Sequence, residues 1–534
     1  MNSFLSFRRR IFYSLLSACL VWFSFPNFLD KNLTPFTAFL GWIALVPLFL
    51  AMKGVRPRQG AVLGWVFGFV QFGGILYWIA FLEEAKNLSG LAWLTLVFYL
   101  SLFSLVFGWI YCFLVERLKV SGCWIAPFIW VGLEYIRGSR PWGGFPWGEL
   151  GYSQAPYPAL LTFTSFAGVY GLTFLMVWFN ACLAKAYHRN PARTVAGESQ
   201  QPSFSIGRVR WIYGGLPLVV LFLVWLFGII EIKSTPLRNA GTVVLLQPGM
   251  DQSMKWDKAN EIATYDRIEK LVKRAKVPHP SLVVWPETGA PSYLLWSPRA
   301  LARVVSIVRN SQAPHLVGCL DAVRGRDKIL HSYNAAVHFT EKGQPVGAYH
   351  KRHRVPFGEF VPFQKYLTFL GPVVGDLGNF DAGEEYKKFQ ADGFSYSPMI
   401  CYEVIFPDDV REAFVSNAEA LVNISNDAWY GRTASAYQHA MMAVVGAAEV
   451  RKPLLRSANT GISLATDPFG RLLVSSPLFA EMTVTADVML ASSSPTLYSK
   501  WGNWLPRVCW LVGMILFLAA FRRKKVIEAV ASVS

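Results

Sequence analysis

Charged residues are scarce in this sequence of 534 residues. Only 16% are Asp, Glu, Lys or Arg while 53% are apolar, which is unlike a soluble domain. The net charge is +17, yet the stretch 240–500 is nearly neutral, with 27 Lys and Arg against 25 Asp and Glu. The excess positive charge therefore belongs to the apolar part of the chain. The apolar composition predicts a membrane protein. Basic and aromatic residues do not alternate in the polar part, so we expect no nucleic-acid partner.

Cysteine is also sparse. Five of the seven cysteines lie in or beside apolar stretches, where a thiol packs as a small apolar side chain: Cys19, Cys112, Cys123, Cys182 and Cys509. The other two, Cys319 and Cys401, are too few for a disulfide framework, and a single bridge between them stays open. The chain also lacks an internal repeat and a His/Cys cluster with metal-ligand spacing, so no metal is predicted.

Eight apolar stretches are long enough to cross a bilayer, which takes about 20 residues. They cover about 11–29, 36–52, 60–82, 91–115, 121–137, 158–184, 212–230 and 504–521. We therefore predict an α-helical bundle of about eight transmembrane helices, with seven in residues 1–235 and the eighth, with a basic tail, in 501–534. In the fifth stretch Glu134 and Arg137 stand three residues apart, so we expect an ion pair that closes the helix end.

The loops between these stretches alternate in their content of Lys and Arg. Seventeen basic residues fall on one side: Arg8, Arg9, Arg10, Lys53, Arg56, Arg58, Arg117, Lys119, Lys185, Arg189, Arg193, Arg208, Arg210, Arg522, Arg523, Lys524 and Lys525. The opposite short loops hold only Lys31, Lys86, Arg137 and Arg140. Because basic loops stay cytoplasmic, both termini are predicted to be cytoplasmic and the segment between spans seven and eight to lie outside.

The N-terminus has a competing interpretation. Its arginines, a short apolar run and Leu16-Ser17-Ala18-Cys19 resemble a lipoprotein signal that ends in a lipidated cysteine. The run, however, stays apolar beyond Cys19, and its removal would break the charge alternation. We therefore favour a first transmembrane helix.

Residues 236–500 form a domain of different character. Short runs rich in Val, Ile and Leu occur at Thr242–Leu246, Leu282–Trp285, Leu316–Cys319 and Ala420–Ile424, and helical patterns at Trp256–Lys276, Pro298–Asn310 and Ala436–Val450. Strands that alternate with helices predict a layered α/β domain with buried strands.

Three segments of this domain end a short apolar run with a reactive side chain. They are Leu282-Val-Val-Trp-Pro-Glu287, Tyr349-His-Lys351-Arg-His-Arg-Val-Pro-Phe-Gly-Glu359 and Ser397-Pro-Met-Ile-Cys401-Tyr-Glu403. Singly, each residue has a simpler explanation, as a packed thiol or a solvated charge. Together they supply a nucleophile, a base in Glu287 and a cation in Lys351 that can stabilise an oxyanion. The carboxyl ends of several strands can converge on one pocket.

The order Trp-Pro-Glu287, Lys351 before Val-Pro-Phe-Gly-Glu359, and Cys401-Tyr-Glu resembles the Glu-Lys-Cys triad of the nitrilase superfamily. Three further segments are similar to the apolipoprotein N-acyltransferase family within it: Gln247–Trp256, Gly144–Gln154 and Ser425-Asn-Asp-Ala-Trp429-Tyr-Gly. This resemblance covers nearly the whole chain. It implies an αββα sandwich for the outer domain.

The resemblance also implies the role of each site residue. Glu287 would be the general base, Lys351 the oxyanion stabiliser and Cys401 the nucleophile, while Glu359 would orient Lys351. Tyr402 and Glu403 would line the pocket. Trp256 and Trp429 would guide acyl chains or a mobile loop, although both also fit a packing role.

The implied reaction moves a fatty acyl chain from a membrane phospholipid, through a Cys401 thioester, to the α-amino group of a diacylglyceryl-cysteine on an apolipoprotein. No metal or organic cofactor is implied, and the expected enzyme is a monomer in the bacterial cytoplasmic (inner) membrane. Two alternatives remain. A membrane-tethered amidase would share the triad and use water as acceptor, and a transporter or flippase would need polar groups along a path through the membrane.

Overall fold

The computed structural model describes residues 6–82, 88–140, 143–187, 211–251, 261–326, 328–360, 380–492 and 495–531, with side chains described up to residue 523. The chain divides into two compact units. The first comprises Met1–Phe81, Leu88–Ile232 and Trp501–Ser534, and the second comprises Leu82–Asn87 and Lys233–Lys500. The first unit is helical, and the second is built on two β-sheets.

The helices of the first unit are apolar along most of their length. They are α1 (Phe7–Phe23), α2 (Val46–Ala51), α3 (Pro57–Ile75), α4 (Ser89–Leu118), α5 (Ala126–Ser139), α6 (Pro158–Leu161), α7 (Thr164–Ala167), α8 (Val169–Tyr187) and α9 (Leu216–Ser234). The last helix of this unit follows the second unit and runs over Trp504–Ala531. Gly168, at φ +66°, separates α7 from α8, so the predicted sixth span is divided.

Four helices in the described residues are long and apolar enough to cross a membrane. They cover Ser89–Leu118, Val169–Tyr187, Trp211–Ser234 and Trp504–Arg523. Other predicted spans correspond to shorter or more polar helices, such as α1 and α3. The predicted span 36–52 is divided into a 3-10 segment at Phe36–Trp42 and the short helix α2. A membrane-spanning chain is therefore supported, and the number of eight stays a prediction.

Glu134 and Arg137 use their side chains differently from the expected ion pair. Arg137 donates from Nη1 to the carbonyl oxygens of Phe145 and Trp147, at 2.8 Å each. Glu134 accepts through Oε1 from the indole of Trp130 at 2.9 Å and from the amide of Leu150 at 3.2 Å. The two charges thus hold the loop after α5 against that helix. The prediction missed this because a loop's main chain offers partners that side-chain spacing does not reveal.

The described residues of the second unit form thirteen strands. They are β1 (Leu237–Gln247), β2 (Leu282–Val284), β3 (Ala290–Tyr293), β4 (His315–Arg324), β5 (Leu330–Phe339), β6 (Pro345–His350), β7 (Phe389–Gln390), β8 (Ser395–Ile400), β9 (Ala420–Ser425), β10 (Leu454–Ala458), β11 (Leu464–Thr466), β12 (Leu472–Ser475) and β13 (Met482–Ala491). One sheet has the order β13-β1-β2-β4-β5-β6 with β3 beside β4, and the other has the order β12-β11-β10-β9-β8-β7.

Helices cover the outer faces of the two sheets. The unit contains α10 (Glu261–Arg274), α11 (Pro298–Ser311), α12 (Pro407–Ala413), α13 (Ser435–Glu449) and α14 (Leu497–Trp501), so the last helix of the chain, Trp504–Ala531, is α15. Apolar residues of both sheets share one core, including Val243, Val284, Ile400, Val422 and Leu455. A second core joins the first sheet to α10 and α11. The second unit therefore has the four αββα layers that the resemblance implies.

Strand direction brings several chain segments to one edge of these layers. β2 runs parallel to β1 and β4, while β8, β9 and β10 run parallel to one another. Glu287 follows β2 and Cys401 follows β8 directly. Lys351 follows β6, and its amide donates to the carbonyl oxygen of Asn334 in β5 at 2.9 Å.

Candidate active site

Cys401 sits at a sharp change of direction between β8 and a 3-10 turn over Cys401–Ile405. Its φ is +51°, a left-handed conformation that costs a residue other than glycine about 1–3 kcal/mol and that persists only where surrounding contacts enforce it. Two contacts do so. Glu403 Oε2 accepts from the amide of Ile400 at 2.7 Å, and His439 Nε2 lies 3.2 Å from the Cys401 carbonyl oxygen. The thiol side chain is thereby turned out of the strand.

Lys351 lies between two carboxylates. Its Nζ is 2.9 Å from Oε1 of Glu359 and 3.6 Å from Oε1 of Glu287. Asn334 bridges the same oxygens, because its Nδ2 donates to Glu287 at 2.7 Å and to Glu359 at 2.9 Å. Lys351, Glu287 and Asn334 are all buried. Lys351, Glu287, Glu359 and Asn334 form one hydrogen-bonded group, in which each charged side chain has a partner.

The charges of this group act on the thiol. Burial raises the pKa of Cys401, the charge of Glu287 raises it further, and Lys351 lowers it, so the resting thiol is protonated. Burial by itself lowers the pKa of Lys351, but Glu359 and Glu287 outweigh burial and hold that pKa above its ordinary value. The structure thus assembles a protonated thiol, a permanent cation and a carboxylate.

Glu403 is a fully buried residue whose oxygens bind the protein itself. Oε1 accepts from the amides of Arg352 at 2.6 Å and His353 at 3.1 Å, and both oxygens accept from Tyr349. Burial raises the pKa of Glu403 to about 7, although these hydrogen bonds and the charge of Lys351 oppose that rise. Glu403 therefore ties the segment after Lys351 to the turn of Cys401, and its expected role in lining the pocket stays a prediction.

Tyr402 is buried beside the same turn. Its ring packs edge-on against Phe406 with centroids 5.0 Å apart, and His353 lies 5.9 Å away. Trp429 is half-buried in a 3-10 turn over Asp427–Tyr430. Trp256 lies outside the described residues. The guiding role of the two tryptophans stays a prediction.

Two residues that sequence reasoning missed contact Cys401. Ser425 Oγ lies 3.5 Å from Cys401 Sγ, and His439 contacts the Cys401 carbonyl. Asn334 was also missed. Ser425 and Asp427 belong to a segment that is similar to the family. No sequence pattern around Asn334, His439 or Arg456 predicts a place in the site.

Cys401, Asp427 and His439 together have the composition of a metal site, with potential ligand atoms within 4.8 Å of one another. Their other contacts argue for a hydrogen-bonded group instead. Arg456 Nη2 lies 2.8 Å from Asp427 Oδ2, so a guanidinium already supplies the neighbouring positive charge. His439 Nε2 faces a carbonyl oxygen and Nδ1 faces Asp427. All seven cysteines are free thiols, so the bridge between Cys319 and Cys401 that the sequence left open is not formed.

Comparisons with known proteins cover both units. The model of the apolipoprotein N-acyltransferase N-terminal domain matches residues 17–182, and the carbon-nitrogen hydrolase model matches 243–498. An apolipoprotein N-acyltransferase of Geobacter metallireducens is 33% identical over 530 residues, covering 97% of this chain and 96% of the relative. One from Brucella melitensis is 32% identical over 537 residues, covering 95% and 96%. A solved amidase from Nesterenkonia sp. aligns with 50% of this chain and 95% of its own, at 18% identity and a TM-score of 0.36.

Proposed function

The chain belongs to the apolipoprotein N-acyltransferase family, and from this premise we propose that it moves a fatty acyl chain from a membrane phospholipid to the α-amino group of an N-terminal diacylglyceryl-cysteine. The acyl group is carried as a thioester on Cys401. One observation supports this most directly: Cys401 projects from a strained turn while Glu287 and Lys351 both act on its thiol.

In the first half-reaction Glu287 removes the thiol proton, which it must do because burial keeps the thiol protonated at rest. The thiolate adds to the ester carbonyl carbon of the phospholipid. Lys351 stabilises the oxyanion, since its pKa is held high and it stays charged. When the tetrahedral intermediate collapses, the C–O bond breaks and the leaving alkoxide takes the proton from Glu287. The products are a lysophospholipid and the Cys401 thioester.

In the second half-reaction the neutral amine of the acceptor attacks the thioester carbonyl. Lys351 again stabilises the oxyanion, and Glu287 accepts one proton from the attacking nitrogen. The C–S bond then breaks and the thiolate recovers that proton from Glu287. The products are an amide and the free enzyme, so a two-step, ping-pong reaction is expected.

We also propose how the chain sits in the membrane. Eight spans, with both termini cytoplasmic and the catalytic domain 236–500 outside, agree with the distribution of Lys and Arg and with the four apolar helices long enough to cross. Residues 1–235 and 501–534 would form the membrane domain, in the inner membrane of a bacterium. Both substrates are lipids whose reactive groups lie near the membrane interface. Attachment to the membrane would therefore hold the catalytic domain where these groups are.

Intact-protein mass spectrometry tests this proposal. Purified enzyme is incubated with phospholipid alone and then treated with neutral hydroxylamine. We expect an added acyl mass that hydroxylamine removes, that persists in Cys319→Ala and that is absent in Cys401→Ala. Cys319 is the matched control because it is the other buried cysteine of the same unit.

The acceptor is tested with the acylated enzyme. Addition of a diacylglyceryl-cysteine peptide is expected to discharge the thioester into an N-acylated peptide. Discharge to free fatty acid at an equal rate with and without the peptide would instead support an amidase that uses water. An acyl adduct retained in Cys401→Ala would rule out the covalent mechanism.

A further inference from the structure

A second buried polar group contacts Cys401. It consists of Ser425 at the end of β9, Asp427 in the next turn, His439 in α13 and Arg456 in β10, and we call it the Asp427 network. All four residues are at most 1% exposed. The reaction proposed above assigns none of them a role.

Asp427 is the centre of the network. Its Oδ1 accepts from Ser425 Oγ and lies beside His439 Nδ1, both at 2.9 Å, and its Oδ2 accepts from Arg456 Nη2 at 2.8 Å. Arg456 also donates to Ser425 Oγ at 3.1 Å and to the side chain of Asn423. Burial alone would raise the pKa of Asp427, but Arg456 and His439 reverse this effect and keep it ionised.

The network meets the nucleophile at two points. A carbonyl oxygen can only accept, so the 3.2 Å contact between His439 Nε2 and the Cys401 carbonyl requires a proton on Nε2. Nδ1 is in reach of both Asp427 and Arg456, at 2.9 and 3.1 Å, and therefore has a partner whether or not it is protonated. His439 can thus hold the left-handed main chain of Cys401 in either charge state.

The second point of contact is the Ser425 hydroxyl. It has one proton and two acceptors in reach, Asp427 Oδ1 at 2.9 Å and Cys401 Sγ at 3.5 Å. A neutral thiol is a weak acceptor, so at rest the proton favours Asp427. Once the thiol loses its proton, the thiolate is a charged acceptor as Asp427 is, and the hydroxyl can turn to it. This interaction strengthens only as charge develops on sulfur, which is the kind that accelerates a reaction.

We propose that Asp427, His439 and Arg456 are positioning residues that hold the main chain of Cys401 in its left-handed conformation and present the Ser425 hydroxyl to the thiolate. The inference rests on Cys401 being the nucleophile of the proposed function. It adds to the Glu-Lys-Cys chemistry a second source of thiolate stabilisation beside Lys351, namely the Ser425 hydroxyl.

A purely structural role would also bury these residues, so the two roles must be separated by experiment. Replacing a buried ion pair by apolar groups is often neutral for stability, while removal of one partner is costly. Stability alone therefore cannot distinguish the roles. The pH at which Cys401 ionises can distinguish them, because a purely structural role of these residues would leave that pH unchanged.

The decisive measurement is the rate at which iodoacetamide alkylates Cys401 in the full-length, detergent-solubilised enzyme as a function of pH, followed by peptide mass spectrometry. The titratable and charged groups around this thiol are Glu287, Lys351, Asp427, Tyr430, His439 and Arg456. Because all of them remain in Ser425→Ala, this variant isolates the hydroxyl. We expect its alkylation midpoint to rise by about one pH unit, as for the loss of a hydrogen bond to a charged group.

Two substitutions at His439 test the main-chain contact. His439→Ala loses the donor, and we expect acyl-enzyme formation to slow by about 10- to 100-fold with little change in KM, because the nucleophile is misplaced. His439→Gln keeps a donor where Nε2 stands and should recover most of this rate. His338→Gln is the matched control: His338 is a buried histidine bonded to Tyr396 at the far end of β8, and its replacement should leave both profiles unchanged.

Lower thermal stability in Ser425→Ala and His439→Ala, with the alkylation profile and acylation rate of the wild type, would overturn the inference. If His439→Ala yields no folded protein, the alkylation profile of Ser425→Ala decides. The outcome is independent of the proposed function: wild-type enzyme that forms no acyl-enzyme would remove that function, while the alkylation profiles would still test the network.

Discussion

The side-chain amide of Asn334 donates to the proposed general base, Glu287, with 2.7 Å between Nδ2 and Oε1. The same nitrogen lies 2.9 Å from Glu359 Oε1, so one amide spans both carboxylates that flank Lys351. An amide donates to a carboxylate without adding charge. Asn334 therefore keeps the two carboxylates apart and oriented while their shared cation serves the reaction.

Replacement of Asn334 should slow acylation. In Asn334→Asp a third carboxylate faces Glu287 and Glu359, so repulsion raises their proton affinity or displaces them. We expect acyl-enzyme formation to slow by about 10- to 100-fold, the usual cost of a misplaced catalytic group. Quenched-flow mass spectrometry measures this rate. Asn334→Ser keeps a neutral donor, so its acylation rate should fall less. Equal rates in the two variants would show that Asn334 does not orient the carboxylates.

Lys351 and Glu359 should differ in their effect on the rate. Lys351→Met removes the proposed oxyanion stabiliser, and we expect kcat to fall by roughly 100- to 1000-fold. Glu359→Gln leaves the lysine charged and removes one of two anionic partners, so we expect a loss of about tenfold through poorer orientation. Steady-state transfer to a lipopeptide measures both. A larger loss in Glu359→Gln than in Lys351→Met would contradict this division of roles.

Acid should destabilise the enzyme through His338. Burial lowers the pKa of His338 from 6.5 to about 4. Between these values the unfolded chain binds a proton that the folded chain does not, so the free energy of unfolding falls as the pH falls across this window. His338→Gln lacks the titration and should show a shallower decline. Thermal midpoints measured in detergent from pH 7 to pH 4 compare the two. Parallel curves would mean that His338 does not titrate in this way.

The loop after α5 should depend on Arg137. Arg137→Leu leaves the carbonyl oxygens of Phe145 and Trp147 without their buried donor, at a cost of about 1–3 kcal/mol. We expect a lower thermal midpoint at neutral pH. Arg140→Leu is a surface control in the same segment, because Arg140 is exposed at the C-terminal end of α5. An equal effect of the two substitutions would argue against the loop contacts.

Much of the fold followed from patterns local in the chain. The layered α/β unit was predicted from apolar runs that alternate with helical patterns, and β2, β4 and β9 lie where those runs stand. The number of eight membrane helices stays a prediction, because length and hydropathy do not reveal breaks such as Gly168 or the 3-10 segment at Phe36–Trp42. The expected ion pair of Glu134 and Arg137 was wrong for a related reason, since their partners are main-chain groups of a loop.

The amino-acid sequence alone predicted the family, the two-part architecture and three candidate catalytic residues. Each of these predictions depends on patterns within short segments of the chain, which can be recognised before the chain folds. The folded chain decided which other residues surround them. Asn334 reaches Glu287 across 47 positions and His439 reaches Cys401 across 38, since neighbouring strands and a covering helix bring them together. A hydrogen bond needs its partners within about 3 Å, and that proximity exists only after the sheets have packed.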